Sequence, residues 1–596
     1  MFRTAGVRHR WVMGCVSGAA LLLGAGSAVG TPPPAPEASP APAVASPAGE
    51  LLVLKVSAPN MTVQELADYL QANGFDLLEA RSGNALLVQG DQVTVAALQA
   101  AGLRVKTQER LTPTPTRAPA GAAPDAPELA AAASFFGGYT SISQIEANLA
   151  TTASTYPALT RLIDIGDSWR KVNALPGPHD LWAMCITNFQ AGDCALAPGS
   201  AKPRLLVMAS IHAREITTSE VAMKLISELT SKYGVDPEIT SILDSTEVWV
   251  LPDVNPDGRD IVELGGNAPY LQRKNGDDVS GGACSNPPTA SNQAGVDLNR
   301  NNPFKYGGTG TSTNPCDQTY RGVGAASEPE TQALTQLFGQ LFADAKGPND
   351  TDAAPLTTPG ALITLHSYSN LVLLPWGWTT TLSPNNAGLR AMAFRMSYYN
   401  GYRTGTGPEI LYGTTGTTDD QSYGTLGVAS FTFEIGPSSG TCSGFTPAFS
   451  CQANFWTLNG PALLQAAKLA RQPYTMALGP TTRTAAVSAA SVAVGTSVTL
   501  SASANDNAMG SASGSIGRPA TQRITNAEYY RDVAPWNGGT AVAMTATDGN
   551  FNSTVEAVRA TVSTTGWSVG RHTIWVRAKD LSGNWGPTQA VFLTVT

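Results

Sequence analysis

Arg204-Leu-Leu-Val-Met-Ala-Ser-Ile-His-Ala-Arg-Glu215 runs out of an apolar strand into a polar turn that ends on His212 and Glu215. A histidine and a carboxylate three residues apart can leave a helical turn or tight loop on the same side. Ser219 to Ser231 then has helical character. A strand feeding a helix is the repeating unit of an α/β domain, and open α/β sheets carry their sites just past the strand ends. The imidazole and carboxylate are two ligands of the kind that hold zinc; a distant third, usually His, completes a catalytic site and leaves one position for water. The bland alternative is a surface His and Glu, so the surroundings carry the weight. The chain has five His. His9 lies in the leader, His179 and His572 sit in loop-like or strand-like contexts, and His366 stands in a second motif-like segment.

At 596 residues the chain exceeds one ordinary core, and several domains are expected. The formal charge of -8 and the lack of a basic run argue against nucleic acid as a partner. Residues 1–30 read as a signal peptide: Arg3, Arg8 and Arg10, then an apolar run from Trp11 to Leu23, then small residues. The run is too short for a stable membrane span, and its position relative to Cys15 argues against lipidation. The expected location is outside the cytoplasm, extracellular or periplasmic. Six further cysteines fit export. Cys185 with Cys194 and Cys442 with Cys451 are close in sequence, separated by loop-like residues, and are paired locally; Cys284 with Cys316 follows by elimination.

The chain divides further. Residues 31–49 are a Pro/Ala/Ser linker. Residues 50–110 read β-α-β-β-α-β, a small antiparallel sheet with two helices on one face. Pro113, Pro115, Pro119 and Pro124 mark a second linker, 111–135, a natural proteolytic site. Residues 136–476 alternate strand and helix. Arg204 to Ser210, Glu247 to Asp253, Leu362 to Ser367 and Ala429 to Ile435 read as strands, and Trp456 to Arg471 as a closing helix. Residues 480–596 show short alternating stretches between Gly, Asn and Asp, with Trp536, Trp567, Trp575 and Trp585 spread through them. That texture fits an Ig-like all-β sandwich.

Five motifs occur in order: Ile211-His-Ala-Arg-Glu215, Asn255-Pro-Asp-Gly-Arg259, Asp297-Leu-Asn-Arg-Asn301, His366-Ser-Tyr-Ser369 and Thr432-Phe-Glu434. Through them, residues 136–476 resemble the zinc carboxypeptidases, in the branch of the pancreatic A and B enzymes and bacterial carboxypeptidase T. The resemblance implies an α/β fold, a mixed sheet of about eight strands sandwiched by helices, preceded by a small α+β pro-domain and followed here by the all-β sandwich. It implies one Zn2+ held by His212, Glu215 and His366, with Asp297 orienting His212. Glu434 becomes the general base that takes a proton from the attacking water and passes it to the leaving amine. Asn299, Arg300 and Tyr412 would hold the substrate's terminal carboxylate, and Arg214 would contact the substrate upstream. Asp419, seven residues after Tyr412, falls where the family's side-chain pocket has its base; an acid there marks removal of Lys or Arg, with Asp420 beside it as added negative charge, the alternative being a pocket that accepts mixed residues, as in carboxypeptidase T.

One departure stands out. The resemblance puts a carbonyl-polarising Arg three residues after the Arg of the Arg273-Lys274 pair, where this chain has Gly276. Arg273 is then the candidate for that role, or the metal carries more of the charge. The implied protein is a secreted metallocarboxypeptidase acting on peptides with a free C-terminus, its 50–110 unit an inhibitory pro-segment released by an activating protease. Two other functions fit less of the pattern. A zinc amidase or endopeptidase acting on cell-wall peptides would not need Asn299, Arg300 and Tyr412. An inactive secreted adhesion protein would not need His212, Glu215, His366 and Glu434.

Overall fold

The computed structural model of the chain describes residues 50–111, 135–278, 283–514 and 517–596. The leader, the first linker and nearly all of the second lie outside them.

The N-terminal unit consists of Leu51–Ser57 (β1), Asp76–Ser82 (β2), Ala85–Gly90 (β3) and Arg104–Leu111 (β4), with helices Val63–Ala72 and Gln92–Ala100. Its sheet is antiparallel in the order β2-β3-β1-β4, and the element order is the one expected. Thr62 and Glu65 close a capping box on the first helix, and Asp91 and Thr94 do so on the second. Because side chains alternate along a strand, β1 presents two apolar faces. Leu52 and Leu54 pack under Leu66, Leu70 and Leu98 of the helices. Val53, with Leu78 and Leu87, packs onto Tyr368 and Phe445 of the large domain.

The large domain is built on eight strands: Thr160–Asp167 (β5), Asp180–Ile186 (β6), Arg204–Ala209 (β7), Glu247–Leu251 (β8), Ala361–His366 (β9), Leu371–Leu374 (β10), Arg403–Thr406 (β11) and Ala429–Glu434 (β12). Their order is β11-β10-β12-β9-β7-β8-β6-β5, with β12, β9, β7 and β8 consecutively parallel. A strand covered on both faces reads as a continuous apolar run, and β7 is such a strand. Leu205 and Val207 face the helices Thr217–Lys232 and Gln452–Leu469, while Leu206 and Met208 face Pro329–Leu341. The mixed sheet sandwiched by helices is therefore present as expected.

The C-terminal strands, between Thr481 and Val595, form a sandwich core through Val498, Leu500, Ile574 and Val576. Strand Val542–Ala546 pairs with Val555–Ser563 on one side and Ile524–Arg531 on the other, so it joins the two layers. Trp575 is buried against the large domain, its Nε1 donating to Ser241 Oγ at 2.7 Å. The three disulfides are Cys185–Cys194, Cys284–Cys316 and Cys442–Cys451, the pairs read from sequence. Among the described residues no helix is long and apolar enough to cross a membrane.

Candidate active site

Three neighbouring parallel strands deliver the central groups from their C-terminal ends. His366 closes β9 and Glu434 closes β12, and the two residues are register partners. After β7, Ser210 adopts φ +61°, a left-handed conformation uncommon outside glycine. It turns the chain so that Ile211–Glu215 folds back as a tight turn, with Glu215 N donating to His212 O. The helix Thr217–Lys232 starts directly behind it.

The three expected ligands meet. His212 Nδ1 is 2.7 Å from Glu215 Oε1, His366 Nδ1 is 3.2 Å from Glu215 Oε2, and the two Nδ1 atoms are 3.1 Å apart. All three side chains are buried. His212 turns its Nε2 to Asp297 Oδ1 at 3.2 Å. With that nitrogen donating to the carboxylate, the Nδ1 lone pair is left facing Glu215 and His366. Nitrogen and oxygen lone pairs converging at such distances repel unless a cation sits among them. Donors about 3.3 Å apart are what tetrahedral zinc with bonds near 2.0–2.1 Å requires. The residues present fit the metal. Among the described residues, two other clusters of potential ligands do not compete: Cys185 and Cys194 are disulfide-bonded, and the carboxylates of Asp167 and Asp180 hold Lys171.

Asp297 is itself anchored. It caps the short turn Leu298–Arg300 through Asn299 N, and its Oδ2 accepts from Arg273 Nε at 3.0 Å. Burial opposes its charge, but Arg273, Arg300 and His212 outweigh burial and hold its carboxyl well below the usual range.

Arg273 lies inside the site, not beside it. Its Nη1 is 4.0 Å from Glu215 Oε1 and 3.0 Å from Glu79 Oε1 of the N-terminal unit, and its Nη2 is buried without a partner among the described residues. Where the resemblance expects a cation at Gly276, the nearest arginine in sequence, Arg273 three residues earlier, already points into the site. A side chain at Gly276 would run into Asp257, 2.7 Å from the would-be Cβ.

Glu434 is buried, and its Oε2 has no hydrogen-bond partner among the described residues. Burial, then the nearby carboxylates of Glu79 and Glu215, push its pKa well above the ordinary value, against the pull of Arg273 and Arg300. The same cleft is lined by Asn299, Arg300, Tyr412 and Asp419. Asn299 Oδ1 accepts from both Thr418 N and Thr418 Oγ1, at 2.9 and 3.2 Å, which fixes which way its amide points. Arg300 commits Nε to Gly310 O and Nη1 to Asn299 O, so its placement is set by backbone. Asp419 accepts from Asp420 N and from Thr432 Oγ1 and pairs with no cation among the described residues. Asp420 does not reinforce it. Both its oxygens accept from Gly377 N, and burial, followed by repulsion from Asp419, pushes its carboxyl well above the usual range.

Arg214 is the expected residue whose surroundings differ most from a waiting substrate contact. Its guanidinium makes two 2.8 Å bonds to the Asp76 carboxylate and stacks on Phe445, 3.9 Å from the ring centre. Asp76 and Glu79 both lie on β2, and Tyr412 is buried within the apolar cluster that β1–β4 and their helices form with the large domain. Sequence reasoning missed both acids. Their signal was two carboxylates in the otherwise apolar Phe75-Asp-Leu-Leu-Glu-Ala80, which are costly to bury without a cation to meet them. Nothing local pointed to Phe445 or Thr418.

Comparison with known proteins fits this geometry. Residues 145–459 match the profile of the family described as Zinc carboxypeptidase. The chain belongs to the zinc carboxypeptidase family. Carboxypeptidase A2 of Mus musculus is 29% identical over 310 residues, 50% of this chain and 63% of that protein. Carboxypeptidase B of Bos taurus is 29% identical over 304 residues, 49% of this chain and 66% of that one. The chain thus spans just under two thirds of the length of these curated relatives. Among solved structures, carboxypeptidase A from Helicoverpa armigera superposes with a TM-score of 0.52 at 19% identity, covering 70% of this chain and 97% of that one. Thrombin activatable fibrinolysis inhibitor gives 0.52 at 21%, covering 71% and 99%. Both establish the zinc carboxypeptidase fold for the chain.

Proposed function

We propose that the protein is a secreted zinc metallocarboxypeptidase that removes single residues from peptide C-termini. The observation that carries this reading is Glu434 Oε2, a buried carboxylate oxygen with no partner, opening on the cleft shared by His212, His366 and Arg300. Zinc held by His212, Glu215 and His366 supplies Lewis acidity toward the scissile carbonyl and the attacking water. Glu434 takes the water's proton and returns it to the leaving amine. Arg273 Nη2 donates to the carbonyl oxygen as negative charge develops there. Asn299 and Arg300, with Tyr412 closing over them, receive the terminal carboxylate, so the cleft accepts a chain end and not a chain middle. The test is mass spectrometry of peptides incubated with the zinc-loaded protein after its 111–135 linker is cut. Stepwise C-terminal shortening is expected; internal cleavage would point to the amidase or endopeptidase reading, and no cleavage to the binding-protein reading.

Residues 50–110 act as the inhibitory pro-segment in this proposal. Asp76 on Arg214 and Glu79 on Arg273 put carboxylates where a substrate's polar groups would go. The intact chain is expected to digest peptides far more slowly than the cleaved one, and D76N with E79Q to raise the intact chain's rate, since each leaves a buried arginine without its anion. Equal rates for intact and cleaved protein would remove the inhibitory role.

The side-chain pocket ends on Asp419, and the proposed preference is for Lys and Arg. A cation completes the Asp419 carboxylate, whereas an apolar residue strands it. Release of C-terminal Arg should fall on the order of 100-fold in Asp419→Ala, the scale of breaking a buried pair, while release of Leu holds or rises. Wild-type protein that favours Phe or Leu over Arg would refute the pocket assignment.

A further inference from the structure

The C-terminal sandwich does more than hang from the large domain. Its 506–514 segment reaches across to the helix Asn386–Asn400 and to β11, the edge strand of the main sheet. The anchor is Arg395, fully buried on that helix. Its Nη2 bonds Asp506 Oδ1 at 2.6 Å, Nη1 reaches Asp506 O and Ala508 O, and Nε reaches Ala477 O. Gly510 N then donates to Phe394 O, and the approach is so close that a Cβ at Gly510 would lie 2.1 Å from Ser397 Oγ. The segment ends on Ser513, whose hydroxyl both accepts from Thr404 N at 2.7 Å and donates to Thr404 O at 2.8 Å. One side chain thus satisfies both edge groups of a β11 residue, as the backbone of a ninth strand would.

β11 leads straight into the substrate clamp. Thr406 starts the one-turn helix Gly407–Ile410 in a capping box with Glu409, Glu409 pairs with Arg390 of the braced helix, and Leu411 N bonds Gly407 O just before Tyr412. Tyr412 is eight residues from Thr404 in the chain.

We propose that Ser513, carried by the C-terminal sandwich, is a positioning residue for Tyr412: it holds β11 so that the 407–412 turn presents the tyrosine at the carboxylate end of the cleft. This rests on the proposed carboxypeptidase reading for its kinetic consequence, though not for its structural one. The sandwich is then a fixed part of the enzyme's substrate grip and not a detachable adhesion module.

The experiment uses the full chain, zinc-loaded, with its 111–135 linker cut. Ser513→Ala removes both bonds, and KM should rise about tenfold, the scale of two ordinary hydrogen bonds, with kcat within about twofold. In a Tyr412→Phe background the same substitution should leave KM unchanged, because the group it positions is gone. Amide hydrogen exchange at 407–412 should quicken in Ser513→Ala whether or not any peptide is cleaved. If Ser513→Ala fails to fold, Gly510→Ala, which pushes the segment off Ser397, should produce the same KM rise and faster exchange. Unchanged KM and exchange in the folded variant overturn the proposal, as does a KM rise that persists in Tyr412→Phe. If the unsubstituted protein trims no peptide at all, the carboxypeptidase reading fails, and the exchange result alone decides the brace.

Discussion

Glu434→Gln is expected to keep zinc at full stoichiometry and lose turnover by roughly 100- to 10,000-fold, the span of general-base contributions. The amide is isosteric with the carboxyl and cannot take up a proton, so the shape of the cleft is preserved while the proton's destination is lost. In the proposed mechanism one carboxylate serves both the attacking water and the leaving amine, which places the expected loss toward the upper part of that span. Metal content by atomic absorption, measured beside kcat, separates this outcome from collapse of the site. A variant within about threefold of wild type would show that another group is the base. Substrate KM should change little, since Glu434 is not among the groups assigned to the terminal carboxylate.

His366→Ala is expected to remove tight zinc binding and activity together. Two ligands remain, both on the 211–215 turn, and neither can reach across to β9 to replace the missing donor. Structural and catalytic zinc sites hold the ion through at least three protein groups, so dialysis against a mild chelator should strip the variant under conditions that leave wild type loaded. The fold should survive, because His366 Nε2 has no partner among the described residues and the Nδ1 contacts it loses are confined to His212 and Glu215 of the site itself. Full activity in this variant would end the ligand assignment. Partial activity restored by added imidazole would support it.

The strands that carry the site were legible because they are buried on both faces. β7 and β9 are mostly apolar runs, and β12 sets the small polar Ser430 and Thr432 between apolar residues; β9 and β12 end on His366 and Glu434, and β7 stops three residues short of His212. Three of the five motifs mark those ends in order; of the other two, Asn255-Pro follows β8 and Asp297-Leu-Asn-Arg opens the short turn Leu298–Arg300. The helix Asn386–Asn400 was not legible, and its burial says why. From Gly388 to Ser397 every residue is buried, the large domain covering one side and the C-terminal sandwich another, so it has no polar face to set a 3.6-residue rhythm. β10 and β11, four residues each, are too short for any pattern to stand out. At the site, residue types were readable and their partners were not. Asp76 meets Arg214 across 138 positions and Glu79 meets Arg273 across 194. The Arg273 placement likewise depends on a loop path that spacing within one motif does not encode.

The two carboxylates that β2 lays on Arg214 and Arg273 have a consequence for timing. While residues 112–134 still tie the N-terminal unit to the large domain, the unit faces its own cleft at an effective concentration on the order of millimolar, whatever the protein's concentration in solution. Cutting that tie breaks none of the contacts described above. It turns a one-molecule equilibrium into a two-molecule one, in which the freed unit departs only as fast as it dilutes or is digested further. Under the proposed inhibitory role, the same nick would leave the protein quiet in a concentrated store and release it after dispersal, so dilution would become the second half of the switch.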